Sequence, residues 1–238
     1  MIYGMILAGG AGTRMGNTEL PKQFLEVGGK PIIVHTIRQF LINERTDKVI
    51  ICVPEAWYDY SARLISAHYP GCDKIALTLG GSTRHETIAN GCRFIAESFG
   101  LSAVDIAMTH DAVRPFLDQR IIEANIDGLA DCEAVVTAIP AIDTIVESLD
   151  GCLLSDAPDR RFLYQAQTPQ TFRIMDFVRN YESLDRAEKD SLSDATAVFL
   201  LRNKKVKIAP GHITNFKITT LDDLARAETT YRELINHE

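Results

Sequence analysis

A chain of 238 residues, 46% of them hydrophobic and 24% charged, is long enough to bury a substantial core, and no run in it approaches the roughly 20 apolar residues of a membrane span. Its formal charge of −7 excludes a general nucleic-acid binder, although a few convergent Arg and Lys side chains can still hold a small anion within an acidic protein. Five cysteines without a close pair indicate neither a disulfide framework nor a zinc site, and Met1-Ile2-Tyr3-Gly4 lacks a basic leader, so a cytoplasmic protein with no nucleic-acid or membrane partner is expected.

Met1 to Leu7 is a short apolar run suited to a buried strand, and it feeds at once into Ala8-Gly9-Gly10-Ala11-Gly12-Thr13-Arg14-Met15. Glycines at 9, 10 and 12 let backbone N–H groups turn toward one point, as a phosphate cradle requires, and Arg14 and Lys22 bring positive charge to the same rim. Neither common phosphate motif fits, because a dinucleotide fingerprint would want glycine where Met15 stands and Lys30 is followed by Pro31. A plain connection with two solvated charges is the structural alternative.

Pro31 reads as the first turn of a helix through Ile32, Ile33, His35, Thr36, Ile37 and Phe40. Lys48 to Val53, closed by Pro54, reads as a strand; Ala56 to His68 as a helix; and Lys74 to Leu79 as a third strand followed by Gly80-Gly81-Ser82-Thr83-Arg84. Ile88, Cys92, Ile95, Ala96 and Phe99 recur at helical spacing, and Cys52 and Cys92 read as small buried hydrophobes. Val104 to Thr109 predicts a fourth strand running into His110-Asp111-Ala112-Val113-Arg114-Pro115-Phe116, with a helix from Asp118 to Ala130 and a fifth strand from Ala134 to Ile139 after it. Strand and helix alternating in this way predict an α/β fold, a mostly parallel central sheet with helices on both faces. Ligands of such sheets bind beyond the carboxyl ends of the strands, where the first glycine loop, Gly80-Gly81 and His110-Asp111 all fall.

The alternation breaks between Ile139 and Arg161. Ala141 to Glu147 and Cys152 to Ser155 flank Leu149-Asp150-Gly151, a β-hairpin signal, and an apolar hairpin projecting from such a body is either a cover for the site or an arm that packs on a second subunit. We take it as an arm. Beyond it come Phe162 to Phe172, helices near Ile174 to Tyr181 and Ser193 to Arg202, strands at Val206 to Ala209 and Asn215 to Ile218, and a closing helix begun by Thr220 and Asp223 in the manner of a capping box. No linker or repeat divides the chain, which reads as one domain over 1–238 with the hairpin inserted at about 139–161.

The strand ends gather mainly cations and backbone donors, with Asp111 as a carboxylate suited to a metal ion or to substrate hydroxyls. That balance favours phosphoryl or nucleotidyl transfer, in which catalysis is positioning and charge neutralisation. Gly80-Gly81-Ser82-Thr83-Arg84 lacks the closing glycine of a hydrolase nucleophile elbow. Structural roles stand beside these readings: His110 as a buried histidine bonded to backbone, Arg84 and Thr87 as the start and cap of a helix, and Arg160 with Arg161 and Asp159 as a surface ion pair.

Leu7 to Met15 with Pro21-Lys22-Gln23, His110 to Pro115, Thr168-Pro169-Gln170 and Asn215-Phe216-Lys217-Ile218-Thr219 resemble, in unbroken order from Met1 to about Tyr231, the CTP-dependent cytidylyltransferases that act on sugar-alcohol phosphates. These are the 2-C-methyl-D-erythritol 4-phosphate enzymes of isoprenoid synthesis and the ribitol-5-phosphate enzymes of teichoic acid and capsule synthesis. The resemblance implies a Rossmann-like nucleotidyltransferase fold, a homodimer exchanging its hairpin arms, and Mg²⁺ bound with CTP. It implies that Leu7, Ala8, Gly9, Gly10, Ala11, Gly12, Thr13 and Arg14 hold the nucleotide's phosphates, with Gly81, Arg84, Thr87, Asp111 and Ala112 completing the CTP site. It sets Asp111, Arg114, Asp143, Thr144, Arg160, Thr168 and Lys217 around the polyol phosphate, Arg160 and Thr168 reaching from the partner subunit. Arg14, Lys22 and Lys217 would be catalytic, and Asp111 is the candidate metal ligand, with Mg²⁺ otherwise held by the CTP phosphates.

Val113, Phe116, Tyr164 to Gln167 and Asp143 to Ser148 are more similar to the ribitol branch, whereas Ala112 leans toward the methylerythritol one. D-ribitol 5-phosphate, giving CDP-ribitol, is therefore placed ahead of 2-C-methyl-D-erythritol 4-phosphate. A nucleotide-binding protein without activity is the reading from a different class, and the set Arg14, Lys22, Asp111 and Lys217 speaks against it. Use of another base is limited only by the resemblance around Gly81 to Thr87.

Overall fold

The computed structural model describes residues 1–10 and 20–236. Ala11, Gly12, Thr13 and Arg14, which the sequence places in the phosphate loop, lie outside the described residues. The chain opens with β1 (Ile2–Leu7), a 3₁₀ turn (Lys22–Phe24), a two-stranded ribbon of β2 (Glu26–Val27) and β3 (Lys30–Pro31), α1 (Ile32–Leu41), β4 (Lys48–Val53), α2 (Tyr58–His68) and β5 (Ile75–Leu79). It continues through α3 (Arg84–Phe99), β6 (Ile106–Asp111), α4 (Gln119–Gly128), β7 (Ala134–Pro140) and β8 (Tyr164–Arg173). The remaining elements are α5 (Ile174–Glu182), α6 (Arg186–Asp190), α7 (Ala197–Leu200), β9 (Val206–Pro210) and α8 (Leu221–Asn236).

Seven strands form one sheet in the order β5-β4-β1-β6-β8-β7-β9, all neighbours parallel except that β8 runs antiparallel to both β6 and β7. The alternation of side chains along each strand divides the core in two. Tyr3, Met5 and Leu7 of β1 and Ile50 and Cys52 of β4 point to one face, against Ile88, Cys92 and Ile95 of α3 and Phe177 of α5. Ile6 of β1 and Val49, Ile51 and Val53 of β4 point to the other, against Ile33 and Ile37 of α1 and Ile122 and Ile126 of α4. Both faces are covered by helices, as the near-continuous apolar strands require.

Consecutive strands β1, β4 and β5 step one way across the sheet, and β6 then returns to the other side of β1. The crevice at the carboxyl ends of β1 and β6 is thus the topological switch point, and the register pairs Leu7 with Asp111 there. A small third cluster lies beyond it, where Val27, Ile32, Val113 and Ile218 pack against Ala227 and Tyr231 of α8. Thr220 and Asp223 form the reciprocal cap of α8: Thr220 Oγ1 accepts from Asp223 N at 3.2 Å and Asp223 Oδ2 accepts from Thr220 N at 2.9 Å. Among the described residues no helix is long and apolar enough to cross a membrane.

Several local expectations are corrected. Pro31 ends the β2–β3 ribbon and caps α1 rather than forming its first turn. The segment expected as a helix from Ser193 is helical only over Ala197–Leu200, and α6 was not read from the sequence. The inserted segment makes its turn at Asp150, whose Oδ1 accepts from Cys152 N and Leu153 N at 2.8 Å, with Gly151 at φ 74°. Its two limbs, however, share a single antiparallel bridge, Glu147 with Asp156, instead of a ladder. An isolated two-stranded ribbon has little to pack on, and Leu149, Leu153 and Leu154 stand exposed. Asn215 to Ile218 is not a strand either, because its backbone bonds go singly to a turn and a guanidinium rather than to a neighbouring strand.

Gly4 of β1 lies directly under Phe40, and a Cβ built on it would fall 2.5 Å from the Phe40 ring, whose side chain is fully buried. Replacing Gly4 by Ala should therefore lower stability by about 1–3 kcal/mol through overpacking. Urea titration should show a reduced midpoint with an unchanged m-value; a midpoint within error of the parent would contradict this packing.

Candidate active site

Five chain segments converge at the crevice. The end of β1 contributes Leu7, Ala8, Gly9 and Gly10, and the 3₁₀ turn brings Lys22 and Gln23. The loop before α3 brings Gly81, Ser82 and Thr83, α3 itself Arg84 and Thr87, the end of β6 and the turn after it Asp111, Ala112 and Val113, and the 215–218 segment Lys217. Every described residue expected in the CTP site is therefore gathered into one pocket.

Local chemistry fixes each wall. Gln23 Nε2 donates to Ala8 O at 2.8 Å, tying the 3₁₀ turn to the end of β1, while Phe24 packs on Trp57 and Tyr60. This leaves Gly10 facing Lys22, where a Cβ would come 3.7 Å from Lys22 Cε. The α3 loop is bonded onto its own helix: Thr83 Oγ1 caps α3 by accepting from Glu86 N, and Thr87 Oγ1 accepts from Gly81 N at 3.0 Å and donates to Thr83 O at 2.8 Å. A Cβ on Gly81 would fall 2.4 Å from Glu86 Cβ, so only glycine lets the loop fold this closely. Arg84 opens α3 as considered, but the cap is Thr83 and not Thr87, whose hydroxyl instead ties Gly81 to Thr83; both Arg84 and Thr87 line the pocket.

Asp111 occupies the centre. Its Oδ1 accepts from Arg84 Nη1 at 2.5 Å; its Oδ2 accepts from Arg114 Nε and lies near Lys217 Nζ, both at 3.1 Å. Burial raises the cost of its charge, but the three cations prevail and hold the carboxyl well below the usual carboxylate range. Arg114 is itself buried and donates through Nη1 to Asn215 O at 2.7 Å, while Ile218 N donates to Val113 O at 3.0 Å. These two bonds dock the 215–218 segment onto the turn after β6 and deliver Lys217 to the carboxylate.

Behind Asp111 lies a fully buried relay. Asp111 N donates to Thr168 Oγ1 at 3.2 Å, Thr168 Oγ1 meets His110 Nδ1 at 2.9 Å, and His110 Nε2 meets Arg114 O at 3.1 Å. A carbonyl can only accept, so Nε2 carries the proton and Nδ1 accepts from the threonine hydroxyl. His110 is therefore a neutral structural histidine, bonded to backbone as its place at a strand end suggested.

The polyol residues expected from the sequence separate into two groups. Asp111, Arg114 and Lys217 come together. Asp143, Thr144 and Arg160 stand exposed on the inserted segment, away from the pocket of their own chain, and Arg160 Nη1 donates to Ile142 O at 2.5 Å. Thr168 corrects an expectation: it does not reach out to a second subunit, because the antiparallel pairing of β8 with β6 buries it beside the Asp111 of its own chain. Gln23, Ser82, Thr83 and Val113 line the pocket without having been assigned to it; Gln23 stood in the quoted Pro-Lys-Gln stretch and was legible there as the lysine's neighbour.

The donor set also bears on magnesium. Among the described residues no cluster of three or more His, Cys, Asp or Glu exists, and Asp111 is the single carboxylate of the pocket. Such a set fits an ion that arrives coordinated by phosphate oxygens and takes at most a carboxylate from the protein, not a dedicated metal cage.

A family model described as IspD, 2-C-methyl-D-erythritol 4-phosphate cytidylyltransferase, matches residues 2–233. A ribitol-5-phosphate cytidylyltransferase of Streptococcus pneumoniae (strain Hungary19A-6) is 44% identical over 96% of this chain and 98% of its own. One of Lactiplantibacillus plantarum is 42% identical over 94% and 95%. In structure, a 4-diphosphocytidyl-2C-methyl-D-erythritol synthase of Anaerococcus prevotii superposes with a TM-score of 0.80 at 27% identity, covering 97% of this chain and 96% of that one.

The relay gives a pH prediction. Burial pushes His110 down to about 4, so the folded chain keeps it neutral while the unfolded chain takes up a proton below about 6.5. The sign follows from linkage: His110 costs no stability above pH 6.5, and its penalty grows as pH falls from 6.5 to 4, at up to about 1.4 kcal/mol per pH unit. His110→Asn should remove that increment. Urea unfolding between pH 7 and 5 should show a shallower loss for the variant; parallel losses would contradict it.

Proposed function

The chain belongs to the 2-C-methyl-D-erythritol 4-phosphate cytidylyltransferase (IspD) family, and from that premise and the geometry of the pocket we propose that it transfers CMP from CTP to D-ribitol 5-phosphate, releasing CDP-ribitol and pyrophosphate. The observation that carries this reading is the pocket itself. Glycine backbone, Lys22, Arg84 and Lys217 surround a single carboxylate at the sheet's switch point, a set matched to polyphosphate and not to acyl or hydride chemistry. Ribitol phosphate is favoured over methylerythritol phosphate because the ribitol-named relatives stand at 42–44% identity and the methylerythritol-named structure at 27%.

In the proposed reaction a phosphate oxygen of the polyol phosphate attacks the α-phosphorus of CTP in line. A new P–O bond forms, the bond to the β-phosphate oxygen breaks, and pyrophosphate leaves. The attacking phosphomonoester is already largely ionised at neutral pH, so no general base is needed. Gly9, Gly10 and the loop through Arg14 would hold the triphosphate, Lys22 and Lys217 would flank the α-phosphate, and Gly81, Arg84 and Thr87 would complete the CTP site. Asp111 and Arg114 would orient the acceptor. Asp111 would be the protein group to hold a Mg²⁺ ion brought in with CTP, and the ion would supply charge neutralisation at the phosphates. Pyrophosphate release assayed with CTP and either polyol phosphate should favour D-ribitol 5-phosphate by at least tenfold in kcat/KM, about 1.4 kcal/mol. A preference for 2-C-methyl-D-erythritol 4-phosphate would reverse the assignment, and silence with both would support a nucleotide-binding protein without activity.

The inserted segment supports a homodimer. Ile142, Leu149, Leu153 and Leu154 of the arm and Phe162 just after it are all more than 60% exposed, apolar surface that a second copy would cover, bringing Asp143, Thr144 and Arg160 toward the partner's pocket. Light scattering should give the mass of two chains at micromolar concentration, and the double substitution Leu153→Asp, Leu154→Asp should shift it to one. A monomeric parent would overturn the arm's role.

A further inference from the structure

The carboxylate of Asp111 lies where an anionic substrate has to bind. Of the three cations around it, Arg84 and Lys217 line the pocket and are 28% and 35% exposed, whereas Arg114 is buried and anchored a second time on Asn215 O. Lys217 and Arg84 are also the groups that a phosphate entering the pocket would meet. A phosphate oxygen and a carboxylate oxygen make the same kind of charge-assisted bond to these donors. The two anions therefore compete for them.

We propose that Asp111 is a built-in stand-in for substrate phosphate, holding Arg84 and Lys217 until a multiply charged phosphate exchanges with it, and so setting the charge an anion must carry to enter. The inference rests on the reading of this pocket as a phosphate site. A carboxylate fixed in the chain competes at high effective concentration, so inorganic phosphate alone offers no advantage over it, and the acceptor's phosphate enters after CTP has made the exchange. A pyrophosphate or triphosphate carries more oxygens to offer both cations at once, and the same pocket is lined by Lys22, Gly9 and Gly10. The exchange does not strand the displaced carboxylate. Arg114 is held by its bond to Asn215 O and stays beside Asp111, so the buried charge keeps one partner throughout. Arg84 sits in the first turn of α3 with its side chain 28% exposed, and Lys217 is on an irregular segment with its side chain 35% exposed, so both present their charged ends to an incoming anion.

The test is isothermal titration of inorganic pyrophosphate and of inorganic phosphate into the parent protein and into Asp111→Asn, in magnesium-free buffer with a chelator. The substitution should tighten pyrophosphate binding at least tenfold and bring inorganic phosphate into measurable binding. Unchanged or weaker affinity in a folded variant would overturn the proposal, since a carboxylate that merely holds Arg84 and Lys217 in position would loosen the site when removed. Should the variant fail to fold, parent crystals soaked in pyrophosphate decide: the Arg84 Nη1 to Asp111 Oδ1 contact opened beyond hydrogen-bonding distance supports the exchange, and the contact retained beside bound pyrophosphate overturns it. Neither arm uses CTP or a polyol. Tighter pyrophosphate binding in a protein that transfers no CMP would leave this inference standing and remove the proposed reaction, and the converse result would do the opposite.

Discussion

The buried charge of Asp111 is the constraint on which the crevice is built. A lone carboxylate at that depth would be driven neutral, and three cations packed together without an anion would repel one another; each half makes the other tolerable. The cations come from separate parts of the chain, Arg84 from the start of α3, Arg114 from the turn after β6, and Lys217 from the segment before α8. Their meeting point therefore records the correct packing of those parts. A shift of α3 or of the 215–218 segment by even an ångström would leave the carboxylate with fewer partners than its burial demands.

The scaffold beneath is correspondingly rigid. β1 is paired on both sides, and its alternating side chains lock into two separate helical layers. Behind the carboxylate, Thr168 and His110 use their side-chain polar groups on one another and on the turn from Asp111 to Arg114, and Asn215 Nδ2 donates to Thr168 O and to Gln167 Oε1. Such a network is stiff because an unpaired member would cost more than the bond itself contributes. The result is a firm floor under a rim that includes long, partly exposed side chains, an arrangement suited to positioning phosphates that differ in length.

What the sequence made legible follows the physics of burial. β4 could be read to the residue because Lys48 and Pro54 bracket an unbroken apolar run, and the amphipathic period of α3 marked its face. The central strand β8 has no apolar run to mark it, since Gln165-Ala166-Gln167-Thr168-Pro169-Gln170 is polar and carries a proline. Its polar groups are satisfied inside, Gln170 Oε1 by Ala195 N and Thr171 Oγ1 by Asn125, and Pro169 sits where the β7 pairing slips register. Periodicity cannot register a strand whose buried side is made of hydrogen bonds. Likewise the list of site residues was legible from residue types, but that Arg84, Arg114 and Lys217 hold a common carboxylate is a fact of three-dimensional meeting. The arm shows the reverse failure. Asp150-Gly151 gave its turn correctly, while the ladder expected of the flanking residues does not form over that length.

The docking of α8 has a consequence in time. Tyr231 packs over Gly28 and His35, Glu228 Oε1 accepts from Gly28 N at 3.0 Å, and Ala227 closes on Val27 and Ile218. The ribbon that follows Lys22 and the segment that carries Lys217 are thus pinned by the same helix, although one is translated near the beginning of the chain and the other near its end. A ribosome-bound nascent chain can build β1, β4, β5 and β6 in sequence, yet its pocket lacks both Lys217 and the brace on the Lys22 side until α8 has left the exit tunnel. Both lysine-bearing segments thus depend on one helix, which the chain reaches only after every strand of the sheet has been made.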